Sequence, residues 1–236
     1  MLTSPVARIV TVGASHCPVL LLDNAYPNPE QLQAEAGELH EFEAFQADHY
    51  PGVKRHTQVE YSTWLAQLLA RLAPFYQCFE LPESAKPRVL TSTYSITTTP
   101  AEKLRPVQML PHIDTAEPRI FAAVHYLSDP ALSFGGTCFY RHNHTQIERV
   151  QRAQLPEYAA CVKQEAMRDQ RHLSPRYIAA TDPRFTLIGT VENRFNRLVI
   201  YPANLLHSGD ISPIPSHIGC QTVAKSRLTI TSLLKG

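Results

Sequence analysis

A chain of 236 residues with 44% apolar and 18% charged side chains, 19 prolines and 9 glycines has the apolar content for a core and lacks the charge excess of disordered chains. That length suits a single domain, which barrels and sandwiches often fill alone. A formal net charge of +1 supplies no long-range field for phosphate backbones or anionic lipid, so nucleic acid and membrane are poor partners.

The uncharged stretch Ile9 to Leu22 contains His16 and Pro18 and falls short of the roughly 20 residues that span a bilayer. Only Arg8 stands before it and no small-x-small cleavage site precedes Asp23, so the expected location is cytoplasmic. Asn28-Pro29 then offers an N-cap followed by proline at the first helical position, with Glu30 in the first turn. The spacing predicts a helix to about Gln46 whose apolar stripe is Leu32, Ala36, Leu39, Phe42 and Phe45, with Glu35, Glu38, Glu41 and Glu43 on the wet side. Tyr50-Pro51-Gly52 reads as a turn. A second helix is predicted from about Gln58 to Phe75 through Trp64, Leu65, Leu68, Leu69 and Leu72.

From Arg88 the pattern turns to β, with strands predicted at Val89 to Thr99, Arg119 to Leu127 and Thr137 to His142. A helical segment at about Pro156 to Arg171 interrupts them before strands at Phe185 to Val191, Arg197 to Tyr201 and Arg227 to Leu234. Helices followed by many short strands indicate α+β with a sandwich or barrel core. After a β-like start at Val6 to Val12 and Val19 to Leu22, residues 1–87 are expected to be mainly helical support and 88–236 the β core.

No Gly-x-Gly-x-x-Gly, phosphate-loop or Gly-x-Ser-x-Gly motif occurs, which turns the search to histidine and carboxylate chemistry. The five cysteines, Cys17, Cys78, Cys138, Cys161 and Cys220, include no Cys-x-x-Cys pair and read as free buried thiols. His112-Ile113-Asp114 is the first candidate, because residues two apart in an extended chain project from the same side and can grip one ion. Such a pair arises readily by chance, so context decides. Downstream, Phe121 to Leu127 and the return through Gly135-Gly136-Thr137-Cys138-Phe139 predict a hairpin behind the pair. The strand Asn196 to Pro202 leads to His207. On the last strand Arg227, Thr229 and Thr231 face one way and Leu228 and Ile230 the other, and an arginine opening an apolar strand calls for an anion.

This succession of His-x-Asp, a strand ending Tyr-Leu-Ser-Asp, a Gly-Gly turn, a distant His and Arg-x-Thr resembles the Fe(II)/2-oxoglutarate dioxygenases of prolyl-4-hydroxylase type, over about Pro111 to Leu234. The first half, including Leu21-Leu22-Asp23-Asn24 and Tyr50-Pro51-Gly52-Val53, resembles an uncharacterised bacterial branch of that superfamily. The resemblance implies a double-stranded β-helix, a jelly-roll or cupin-like core, with supporting N-terminal helices. It also implies His112, Asp114 and His207 as metal ligands and catalytic centre, since two imidazoles and one carboxylate on one face of Fe(II) leave room for a bidentate 2-oxo acid and dioxygen. Arg227 is the implied anchor for the far carboxylate of 2-oxoglutarate, with Thr229 and Tyr126 adding hydroxyls and Val124 lining the pocket. Two features depart from the common pattern. Arg227 follows His207 at a longer interval, which inserts a loop from Ser208 to Ala224 and makes Lys225 a rival anchor, and Gly-Gly-Thr-Cys-Phe is one residue short, which leaves the role of Thr137 open.

His142-x-His144 has ligand spacing too, but a polar turn accounts for it. His125 alternates away from Val124 and Tyr126 and reads as packed or solvated. Ser208 and Asp210 beside His207 cannot align as a hydrolytic relay, being immediate neighbours. Cys138 reads as a small buried hydrophobe, and Tyr50-Pro51-Gly52 as a turn that can also shape an entrance. The leading expectation is an oxygenase hydroxylating an amino acid, a peptide side chain or a small metabolite, and Asp114 argues against halogenation. The alternatives are a non-catalytic cupin-like binding protein, or a metal-dependent isomerase or hydrolase with the same triad. Neither alternative needs a buried guanidinium opposite the metal.

Overall fold

The structure, a computed structural model, describes residues 5–44, 50–170, 173–178, 180–213 and 222–236. Ten strands and four α-helices follow in the order β1 (Val6–Val12), β2 (Cys17–Asp23), α1 (Pro29–Ala36), β3 (Gly52–His56), α2 (Val59–Arg71), α3 (Ala73–Cys78), β4 (Arg88–Thr97), β5 (Ile120–Tyr126), β6 (Thr137–His142), α4 (Leu155–Arg168), β7 (Phe185–Val191), β8 (Arg197–Pro202), β9 (His207–Gly209) and β10 (Leu228–Lys235). They form a seven-stranded sheet ordered β1-β2-β8-β5-β10-β4-β3 and a three-stranded sheet ordered β7-β6-β9. Every named pairing is antiparallel.

Strands β2, β8 and β5 of the large sheet are mainly apolar on both faces, and their period-two alternation sorts residues between two cores. Leu20, Leu22, Ala123, Leu198, Ile200, Leu228 and Ile230 face the helices, meeting Leu32 of α1, Leu65 and Leu69 of α2 and Phe75 of α3. Their neighbours Val19, Leu21, Ala122, Val124, Tyr126, Val199 and Tyr201 face the small sheet, meeting Phe139, Val191 and Leu205. Thr229, between two helix-facing residues of β10, therefore turns toward the interior between the sheets.

Several expected boundaries move for identifiable reasons. The first helix does not reach Gln46. It stops at Ala36 because Gly37 takes a φ of 70°, and a 3-10 turn follows at Leu39–Glu41. Phe45 and Gln46 lie outside the described residues. The second predicted helix is two, since Pro74 cannot continue the ladder and instead sits in the first turn of α3. The β-like start is found as β1 and β2, and β3, where the sequence predicts a turn leading straight into a helix, supplies the opposite edge of the large sheet. The predicted hairpin of β5 and β6 does not form: β5 pairs with β8 and β10, and β6 with β7 and β9 in the other sheet. Arg171, Cys220 and residues 214–221 of the Ser208 to Ala224 insertion lie outside the described residues.

Candidate metal centre

The site is built where the chain leaves β8. After Pro202 the backbone turns, with Leu205 N donating to Pro202 O at 3.0 Å, and re-enters as β9 beside β6, pairing His207 with Phe139. The His112 segment then attaches to the free side of this turn at two points. His112 and His207 exchange both backbone hydrogen bonds at 2.9 Å, and Asp114 N donates to Ala203 O at 2.9 Å. Side chains 95 positions apart in sequence are thereby held by a two-residue bridge.

The donor atoms of His112, Asp114 and His207 all lie within 4.8 Å of one another. The two rings are 4.5 Å apart between centroids. His207 Nδ1 lies 2.9 Å from Leu205 O, and a carbonyl only accepts, so Nδ1 carries a proton and Nε2 is the atom that points inward. There it stands 3.7 Å from Asp114 Oδ2. Two imidazoles with a carboxylate form a donor set suited to a divalent transition metal. Tyr201 packs its ring against His207 at 4.9 Å in an edge-on contact. Burial, and then the charge of Asp114, hold its phenol well above the ordinary tyrosine range, so Tyr201 is a neutral wall.

These ligands open into a cavity of about 390 Å³ whose lining also includes Val124, Thr137, Arg227 and Thr229. Arg227 immediately precedes β10 and is 6% exposed. Its Nε donates to Gly135 O at 2.8 Å and its Nη2 to Gly136 O at 2.7 Å, which locks the guanidinium plane. Among the described residues no carboxylate pairs with it. Lys225 ends a short 3-10 turn and is exposed, so the structure puts Arg227, not Lys225, at the cavity.

Tyr126 is fully buried behind the lining, its hydroxyl 2.7 Å from Thr137 Oγ1, so that Thr137 stands between this phenol and the cavity. Thr229 is buried with its hydroxyl donating to Ser95 O at 3.4 Å. Tyr50 and Pro51 also line the cavity. His125 lies on the opposite face of the sheet, fully buried between the Tyr61 hydroxyl at 3.2 Å and Asn196 Oδ1 at 3.0 Å. His142 and His144 are not merely a polar turn, because both converge on the buried Glu165 of α4. Thr137 and Tyr201 carried only the alternation of their strands as a signal. Glu165, some 20 residues downstream on a helix, carried none.

A family model described as "Family of unknown function (DUF6445)" matches residues 3–234. No curated protein matches the chain. Among solved structures, HygX from Streptomyces hygroscopicus with nickel and 2-oxoglutarate bound aligns with 92% of this chain and 82% of its own at 13% identity and a TM-score of 0.50. The epimerase SnoN in complex with Fe3+, alpha ketoglutarate and nogalamycin RO aligns with 92% of this chain and 78% of its own at 14% identity and a TM-score of 0.50. The likeness is one of fold.

Proposed function

Because the chain belongs to DUF6445, a family of unknown function, its chemistry rests on its own side chains, and we propose that it is an Fe(II)- and 2-oxoglutarate-dependent oxygenase. The observation that carries this reading is one cavity lined both by the cluster of His112, Asp114 and His207 and by the buried guanidinium of Arg227, which pairs with no carboxylate among the described residues. A metal-binding isomerase or hydrolase has use for the cluster but not for the arginine. HygX and SnoN, which share the fold, were crystallised with 2-oxoglutarate or alpha ketoglutarate and a metal. Their likeness supports a double-stranded β-helix reading of the two facing sheets and a single domain over the chain.

His112, Asp114 and His207 would hold the iron, with His207 presenting Nε2 because Leu205 O fixes its tautomer. When bound, the metal and co-substrate supply dioxygen activation, in which 2-oxoglutarate becomes succinate and CO2 while a substrate C–H becomes C–OH. The protein's own contribution is binding and exclusion. The guanidinium fork, already oriented by Gly135 O and Gly136 O, offers its remaining N–H groups to the distal carboxylate, each charged bond contributing about 1.5–3 kcal/mol. Thr229 and Thr137 line the same floor, and Val124 and Tyr201 present apolar or neutral surface that keeps water off the reacting carbon.

A volume of about 390 Å³ is at the small end of the roughly 300–1,000 Å³ of ligand pockets. Shared with the co-substrate, it favours an amino acid, a peptide side chain or a small metabolite. Hydroxylation is the proposed outcome. The test is succinate formation from 2-oxoglutarate by the iron-loaded protein in air. Release that depends on iron and falls to background in Asp114→Ala is expected, and none above the metal-free blank would reject the reading.

A further inference from the structure

A second donor cluster lies outside the cavity lining, where α4 crosses the end of β6. Glu165 is 7% exposed and engages both carboxylate oxygens, with His142 Nε2 at 2.9 Å from Oε2 and His144 Nδ1 at 3.1 Å from Oε1. Cys161 Sγ lies 4.0 Å from Oε1. Cys161 and Glu165 are one helical turn apart and so share a face of α4. His142 and His144 flank the start of the turn after β6.

The donor atoms of His142, Cys161 and Glu165 lie within 4.8 Å of one another. In a tetrahedral zinc site, bonds of about 2.0–2.1 Å to N or O and about 2.3 Å to S place donors about 3.3–3.8 Å apart. Cys161 Sγ stands 4.0 Å from Oε1, just beyond that range, while the 2.9 and 3.1 Å separations of the two imidazoles from different Glu165 oxygens are hydrogen-bond distances that would lengthen by a few tenths of an ångström around an ion. His142 Nδ1 meets Thr145 Oγ1 at 2.9 Å, the kind of outer contact that fixes the ring of a metal-bound imidazole. The side chain of His144 is 69% exposed, so it can pivot and leave an entry path.

From this geometry we infer that His142, Cys161 and Glu165, completed by His144, form a second metal site that takes a zinc-class divalent cation and ties α4 to the end of β6. One thiolate, one carboxylate and two imidazoles make a closed four-coordinate set, which is the pattern of structural rather than catalytic zinc. Burial raises Glu165, yet its bonds from His142 and His144 outweigh that and hold it below the ordinary carboxylate value, so it is an anionic donor at neutral pH. Burial pushes the Cys161 thiol up, so binding displaces its proton to solvent. The competing account is a metal-free hydrogen-bonded clamp of the same residues.

The first cluster contains no sulfur, which separates the two sites spectroscopically. Cobalt(II) is titrated into the reduced full-length protein, and into its Asp114→Ala, Cys161→Ser and Glu165→Gln variants checked by circular dichroism. A near-ultraviolet thiolate-to-cobalt band is expected in wild type, retained in Asp114→Ala, absent in Cys161→Ser and needing at least tenfold more cobalt in Glu165→Gln. Absence of the band from wild type overturns the inference in favour of the clamp, and an undiminished band in Cys161→Ser overturns it as well. Should Glu165→Gln fail to fold, Cys161→Ser at its partly exposed position still decides the matter.

Discussion

One ring at position 207 joins the backbone to the chemistry, since Nδ1 is tied to Leu205 O and Nε2 faces Asp114. Removing that ring leaves the backbone bonds of His112 with residue 207 in place. His207→Ala is therefore expected to lose retained iron after dialysis while its far-ultraviolet circular dichroism is unchanged. Iron retained at the wild-type level would remove His207 from the ligand set. Arg227→Ala has a different signature. Iron binding is kept, and 2-oxoglutarate affinity falls roughly 100-fold, the equivalent of about 3 kcal/mol for two lost charged bonds. If Lys225→Ala produced that loss and Arg227→Ala did not, the anchor would be misassigned. His125 provides a pH test on the far face of the sheet. Burial, only partly opposed by the bond with Asn196, lowers its pKa from 6.5 to about 4. The unfolded chain thus takes up a proton first as pH falls, so the stability is whole above pH 6.5 and is lost between 6.5 and 4. The loss amounts to about 3 kcal/mol at most. Urea midpoints of wild type and His125→Gln should converge across that window. A constant difference would mean that His125 is not held neutral.

Among the elements, β2 and β8 are joined by a bidentate pair, Arg197 Nε to Asp23 Oδ1 at 2.6 Å and Nη2 to Oδ2 at 2.9 Å, with the Arg197 side chain 2% exposed. The Asp23 side chain is itself 34% exposed and Arg197 Nη1 keeps its bond to Glu192 O, so Asp23→Ala is expected to cost about 1–3 kcal/mol in urea unfolding, the cost of a charged group left short of a partner. A change below about 1 kcal/mol would show that Arg197 finds other partners. Strands of this kind were legible because β-branched and aromatic runs carry their own signal: β6 and β7 begin and end where the sequence reading put them. The helix ends were not, because Gly37 and Pro74 overrode a continuous apolar stripe. The false hairpin of β5 and β6 has the same root. A Gly-Gly turn between two strands is a local sign, whereas the choice of sheet is made by pairing with β8, β9 and β10 far along the chain. That His112, Asp114, His207 and Arg227 come to one cavity was legible in the order of residues on which the family resemblance rests. The Glu165 partner of His142 and His144 was not, since nothing in a helix's own periodicity tells which loop it will cross.

At the scale of the whole molecule, helices cover one face of the large sheet and the small sheet covers the other, and the proposed chemistry lies between the two sheets. Among the described residues no helix is long and apolar enough to cross a membrane. This layering explains how three side chains spread over 95 positions are brought together by the fold itself: the backbone bridge of His112 to His207 is part of it. The most direct measurement is anaerobic addition of 2-oxoglutarate to the protein with one equivalent of Fe(II), followed by visible absorption. A metal-to-ligand charge-transfer band is expected in wild type, absent in His207→Ala and shifted to higher 2-oxoglutarate concentration in Arg227→Ala. No band in wild type at saturating iron and 2-oxoglutarate, or an equal band in His207→Ala, would contradict a shared metal and co-substrate site in this cavity.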